Sequence, residues 1–173
     1  MKESAAGQGQ ESGAGGYTRF IILAAARTGS NLLATALNGH ANIICFRELF
    51  NWRTETIGYF VEGYDNDSAE DRALRDRDQV AFLNARVFCD HPSEVRTVGF
   101  KAPYGTFIGF PKLQEWLVQQ QEVRVLHLRR KNLLRRLVSG RIAEATGAWF
   151  TGRNQTAAGK LRLSNIPGAS VIP

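Results

Sequence analysis

Phe20-Ile21-Ile22-Leu23-Ala24-Ala25-Ala26-Arg27-Thr28-Gly29-Ser30-Asn31-Leu32-Leu33 opens as an apolar run with β-branched residues, passes a glycine, and continues in helix formers. The stretch reads as a buried strand, a tight turn and a helix. Free amides at a helix start and the helix dipole attract phosphate or sulfate, and a glycine lets the ligand approach the backbone. Arg27 adds a full positive charge. The turn is therefore a socket for an anion, and its place after a strand predicts an α/β layer structure.

The rest of the chain extends that pattern. Arg96 to Lys101 predicts a second core strand, Pro111 to Gln121 a short helix with proline at its start, and Val123 to Leu128 a third strand. Ile43 to Phe46 is a short apolar run. A helix is expected from about Asp78 to Phe88, and the acid- and arginine-rich stretch Asp65 to Asp78 before it reads as solvated surface. Strands alternating with helices imply a three-layer α/β sandwich with a mainly parallel sheet, whose ligands collect beyond the carboxyl ends of the strands. The expected domain spans residues 19–173. Residues 1–18, rich in Gly, Ser, Ala, Gln and Glu, read as a disordered tail.

A second anion-ready turn, Arg129-Arg130-Lys131-Asn132, follows the third strand. In the helix after it, Leu134, Leu137, Val138, Ile142 and Ala145 recur at helical spacing and are expected to face the core. Ser139 shares the opposite side with Arg135 and Arg136, so that side carries a hydroxyl among cations and suits a phosphate monoester. A solvated basic helix, or one lying on nucleic acid or a membrane surface, fits the same residues. Two such turns after two strands of one sheet favour a single ligand with two anionic ends.

The whole chain carries 22 Lys and Arg against 16 Asp and Glu, a net charge of +6 that suits acidic ligands. Two cysteines, Cys45 and Cys89, are too few for a disulfide framework and point to a reducing, cytoplasmic compartment. No stretch approaches the roughly 20 apolar residues that cross a bilayer. The turn at Arg27 lacks the upstream glycine and the lysine of the usual nucleoside-triphosphate loop. An arginine before the glycine, with hydroxyls on both sides, favours direct charge-assisted binding without a metal.

From about Phe20 to Trp149 the chain resembles the sulfotransferases that use 3'-phosphoadenosine 5'-phosphosulfate (PAPS), especially the carbohydrate branch with the trehalose and Nod-factor enzymes. The resemblance implies a P-loop-like fold in which Arg27, Thr28, Gly29, Ser30 and Asn31 hold the 5'-phosphosulfate and Arg130 and Ser139 hold the 3'-phosphate. Many relatives have Arg-Asp/Asn-Pro and a gap of eight to the serine; here the run is Arg130-Lys131-Asn132 and the gap is nine, which brings Arg129 into consideration. His40-Ala41-Asn42, the apolar run and Arg47-Glu48-Leu49-Phe50-Asn51 are similar to the family stretch whose glutamate takes the acceptor's proton. Glu48 is thereby the implied base and Arg27 the group that stabilises the leaving oxygen. A pairing of Glu48 with Arg47 or another arginine is the competing role.

The implied reaction moves a sulfuryl group from PAPS to a hydroxyl acceptor, by family a carbohydrate. A truncated nucleotide-binding relative and a basic nucleic-acid-binding module are the alternatives, and a homo-oligomer stays open. Relatives continue further past the 3'-phosphate motif, whereas here Phe150 to Pro173, with Arg153, Lys160 and Arg162, is what remains. His127 reads as a buried strand imidazole, His91 as a loop residue before Pro92, and His40 as a helix-end cation and runner-up base. Lys101 reads at least as well as a surface lysine. Trp52, Tyr59, Phe60, Tyr64, Tyr104, Phe107, Phe110 and Trp149 supply aromatics that either fill the core or stack on a sugar.

Overall fold

The computed structural model describes residues 16–51 and 54–147. Among these residues four strands form one parallel sheet in the order β2-β3-β1-β4: β1 Thr18–Ala24, β2 Ile43–Phe46, β3 Thr97–Pro103 and β4 Arg124–Leu128. Among the described residues six α-helices connect and flank them: α1 Ser30–Asn38, α2 Ala69–Arg77, α3 Gln79–Phe82, α4 Thr106–Gly109, α5 Pro111–Gln119 and α6 Leu133–Thr146. A π-helical turn, Leu83–Val87, continues α3. Helices lie on both faces of the sheet, which makes the expected three-layer α/β sandwich.

Alternation along β1 sorts the two faces. Phe20, Ile22 and Ala24 point with Cys45 toward Ala34 of α1 in one small cluster. Ile21 points the other way, with Phe46, Val98, Phe100 and Ala102, into a larger core closed by Phe82, Leu83, Val87 and Leu113. Phe50 sits edge-on to Phe82, Phe100 and Phe110 at ring distances of 5.5–5.7 Å. Each such ring, fully buried, removes enough apolar surface from water to contribute roughly 2–3 kcal/mol.

Two expectations change. The stretch Asp65 to Asp78 is not merely solvated: Ser68 caps α2 by accepting from the Asp71 amide, and Glu70 and Asp71 complement its dipole. Asp71 and Arg75 are buried, Asp71 accepting from the Tyr59 hydroxyl at 2.8 Å and from Arg86 Nε at 2.6 Å. Burial and the facing carboxylate push the Tyr59 phenol well above its ordinary range. Charged side chains here turn inward because each has a charged or hydrogen-bonding partner waiting, which hydropathy does not register.

The apolar stripe of α6 is the second change. Leu134 is 70 % exposed, Leu137, Val138 and Ile142 are also exposed, and of the described α6 residues only Ala143 is buried. Helical spacing tells which residues share a face; which surface meets that face is a tertiary matter, and α6 makes no extensive contact with the sheet. His127 likewise is exposed on the edge strand β4, though hydrogen-bonded to the Tyr104 hydroxyl.

Of the aromatics, Tyr59 and Phe110 belong to the core, Tyr64 and Phe107 pack against it, and Phe60 and Tyr104 are exposed. The strand β1 starts at Thr18, inside the stretch assigned to the tail, and Tyr17 donates from its hydroxyl to the Cys89 carbonyl. Residues 1–15, Trp52, Trp149, Arg153, Lys160 and Arg162 lie outside the described residues. Among the described residues no helix is long and apolar enough to cross a membrane.

Candidate anion-binding site

The loop after β1 adopts a conformation that costs free energy. Arg27 has φ 65° and Gly29 φ 92°. The left-handed region suits glycine, but for arginine it costs about 1–2 kcal/mol through the clash of Cβ with the following carbonyl. Two residues two positions apart in that region turn the chain from the strand end into α1. Thr28 Oγ1 donates to the Ala25 carbonyl at 2.9 Å and steadies the turn.

Gly29 is the N-cap of α1 and, having no side chain, caps nothing. No acidic residue lies in its first turn; α2, α3 and α6 are capped by Ser68, Asp78 and Asn132, while α4 and α5, like α1, have no side-chain cap. The first-turn amides of α1 thus keep the donor capacity that every helix start has and most satisfy with a side chain. Ser30, the first residue of the helix, is buried beside them.

The second turn meets the first directly. Arg27 Nε donates to Ser139 Oγ at 2.9 Å, and Arg130 Nη1 donates to the Arg27 carbonyl at 3.0 Å. Residues 112 and 103 positions apart in sequence are thereby joined across the carboxyl ends of β1 and β4. The contact is made by Arg130; Arg129 is exposed and makes no such bond among the described residues. The gap of nine to Ser139 is compatible with this junction, since α6 begins only at Leu133. A ligand between the turns would exchange the Arg27–Ser139 bond for bonds to its own oxygens.

Glu48 stands just beyond the end of β2. Lys101 Nζ, from β3, bonds to Glu48 Oε1 and also donates to Asn31 Oδ1 at 2.7 Å. Lys101 is 5 % exposed, so the surface-lysine reading is overturned. It sits on the α1 face of the sheet, where the parallel register places it one residue past Phe100, and its charge is satisfied by two groups from two other elements. The chain from Asn31 through Lys101 to Glu48 connects the first turn of α1 to the carboxylate. In the sequence Lys101 reads as the end of a strand; β3 runs on to Pro103, and because Phe100 and Ala102 face the other side of the sheet, no local signal gives Lys101 its partners.

The Glu48 backbone is held from a second side. Arg47 N donates to the Gly58 carbonyl at 2.9 Å, and a Cβ on Gly58 would stand 2.6 Å from the Glu48 carbonyl oxygen. Only glycine allows that approach. Asn51 Nδ2 lies 3.5 Å from Glu48 Oε2. Arg47 does not pair with Glu48: it donates to Thr35 Oγ1 and covers the Phe60 ring at 4.6 Å. Glu48 therefore combines a clamped backbone, one lysine partner and a side chain still 34 % exposed, which leaves it open to a reactant.

His40 is at the far end of α1 from the anion loop, where its Nδ1 accepts from the Asn42 amide. Nine helical residues, about 13 Å, separate it from Gly29, so it does not serve as an alternative base. His91 bonds to the Val87 carbonyl and meets the Tyr17 ring edge-on.

No family profile, curated protein or solved structure matches the chain.

Proposed function

We propose that this protein transfers a sulfuryl group from PAPS to the hydroxyl of an acceptor, a carbohydrate by resemblance. The observation that supports it most is the junction of the two anion-ready turns: Arg27 to Ser139 and Arg130 to the Arg27 carbonyl, beside an uncapped helix start. In this reading Arg27, Thr28, Gly29, Ser30 and Asn31 receive the 5'-phosphosulfate, and Arg130 and Ser139 receive the 3'-phosphate. The P-loop-like sulfotransferase fold belongs to the same proposal.

Sulfuryl transfer breaks the bond between sulfur and the bridging phosphate oxygen while an alcohol oxygen bonds to sulfur. The bridging electron pair stays with the phosphate, and the alcohol loses its proton. Arg27 and the first-turn amides of α1 stabilise the negative charge that grows on the leaving oxygen, in the way oriented donors do in other group transfers. Glu48 accepts the proton, and Lys101 positions the carboxylate relative to the loop through Asn31. Positioning accounts for most of the rate in such a site.

Adenosine 3',5'-bisphosphate binds only the folded protein and raises its melting temperature, while ATP with magnesium does so much less. Arg27→Ala abolishes the shift. Sulfate transfer to a sugar panel is lost in Glu48→Gln with the shift retained. Duplex DNA that competed as well as the bisphosphate would favour a nucleic-acid-binding module instead, and a shift without any transfer would favour a nucleotide-binding relative lacking turnover.

A further inference from the structure

Among the described residues two that are not glycine have a positive φ: Arg27 of the anion loop and Phe60. At φ 48° the Phe60 backbone lies in the left-handed region, where glycine is relaxed and a bulky residue is strained. The turn around it is fixed. Tyr59 is fully buried, the Phe60 amide donates to Asn66 Oδ1 at 3.2 Å, and the Ile57 amide donates to the Asn66 carbonyl at 2.8 Å. The Phe60 ring itself is 48 % exposed, so core packing does not explain why an aromatic stands where glycine would be easier. Strain of this kind persists where a site uses it.

The position of the ring relative to Glu48 supplies the use. Asn31 and Thr35, four residues apart on α1, share one face and lie about 6 Å apart along the axis. Asn31 accepts from Lys101, which also holds Glu48. One turn further from the anion loop, Thr35 accepts from Arg47 Nη2 at 3.2 Å, and the Arg47 guanidinium lies over the Phe60 ring, 4.6 Å from its centroid. Gly58, packed against the Glu48 backbone, ties the same turn to the carboxylate. Outward along α1 the order is therefore anion loop, Glu48, Phe60. In-line transfer puts the acceptor oxygen on the side of sulfur away from the leaving oxygen, so an acceptor whose hydroxyl meets Glu48 extends toward Phe60.

The surroundings of the ring define what stacks on it. Arg47 covers part of Phe60 and leaves an apolar surface in water, bordered by the polar groups of Arg47, Thr35, Glu48 and Asn51. An apolar face with a few polar groups at its edge matches a pyranose, which carries C–H bonds on its faces and hydroxyls around its rim. We infer that Phe60 binds the acceptor by stacking on a pyranose ring and so orients its hydroxyl toward Glu48. The orientation toward Glu48 rests on the sulfuryl-transfer reading; the stacking does not.

Saturation-transfer NMR on the full chain reads sugar binding without turnover. Methyl β-D-glucopyranoside receives saturation from the protein, whereas sorbitol, which has the hydroxyls but no flat face, does not. Phe60→Gly relaxes the turn, so it melts no lower than the parent, yet it loses the glucoside signal; Phe60→Tyr keeps that signal. In sulfate transfer Phe60→Gly raises the acceptor KM about tenfold with kcat nearly unchanged. No glucoside signal from the parent, an equal signal from sorbitol, or a signal that persists in Phe60→Gly would overturn the inference. If Phe60→Gly melts lower than the parent, Phe60→Leu, apolar but not flat, decides: loss of the signal supports stacking and retention overturns it. Arg27→Ala keeps the glucoside signal and loses the melting shift with adenosine 3',5'-bisphosphate. Glucoside binding without any sulfate transfer upholds the stacking and defeats the transfer reading, so the two failures are separate results.

Discussion

The β2–β3 side of the sheet and the β4–α6 arm are built from similarly apolar sequence and end in opposite states. On the first side Phe46, Val98, Phe100 and Leu113 are completely buried against three further elements. On the second, Val125, Leu126, Leu134 and Leu137 are exposed, and α6 is attached to the body of the protein by polar bonds, Arg27 to Ser139 and Arg130 to the Arg27 carbonyl. The difference teaches that the β2–β3 side is closed by packing on the sheet, whereas beyond the β1–β4 ladder α6 is tied down by the polar residues of the candidate site. The turns proposed to bind the anion double as the joint of the arm.

The contrast is broken most severely from the packed side. Phe100→Ala leaves a cavity among Phe50, Phe88 and the strands, and chemical denaturation is expected to show a loss of about 3–5 kcal/mol. Gly58→Ala comes next: the new methyl meets the Glu48 backbone, and the strain of overpacking costs about 1–3 kcal/mol while displacing the carboxylate, so stability and sulfate transfer fall together.

A pH titration separates the halves by another route. Burial pushes the Cys45 thiol up from 9.0 to about 12. The folded state keeps that proton after the unfolded state has lost it, so this stabilisation is complete below pH 9 and falls by about 1.4 kcal/mol per pH unit toward pH 12. Cys45→Ala flattens that part of the curve in alkaline denaturation.

On the arm the effects are smaller. Ser139→Ala removes the hydroxyl that accepts from Arg27 and costs about 0.5–1.5 kcal/mol, and added adenosine 3',5'-bisphosphate stabilises the variant less than the parent. Leu134→Ala, at a 70 % exposed position, changes stability by no more than about 0.5 kcal/mol. A loss as large as that of Phe100→Ala would mean that the stripe is covered in solution.

Particular elements show why some of this was legible beforehand. Strands β1, β3 and β4 were found from short apolar runs bounded by turn residues, and α5 from Pro111 at its first position, because those signals are local. Helix α2 was missed because its inward residues are Asp71 and Arg75, whose burial depends on Tyr59, Arg86 and Leu49 lying far away in the chain. The partner of Glu48 was missed for the same reason: the carboxylate meets a lysine 53 residues later, delivered by the register of β3.

By itself the order of residues determined the strand-turn-helix at Arg27, the alternation of elements and hence a parallel α/β layering, because strand and helix periodicity and the torsional preferences of glycine and proline act over a few residues. Only the tertiary structure decided that Ser139 meets Arg27, that Lys101 turns inward and that the α6 leucines stay in water. Those outcomes depend on which surfaces the folded chain brings within hydrogen-bonding or van der Waals distance, and distance in space is not encoded by distance along the chain.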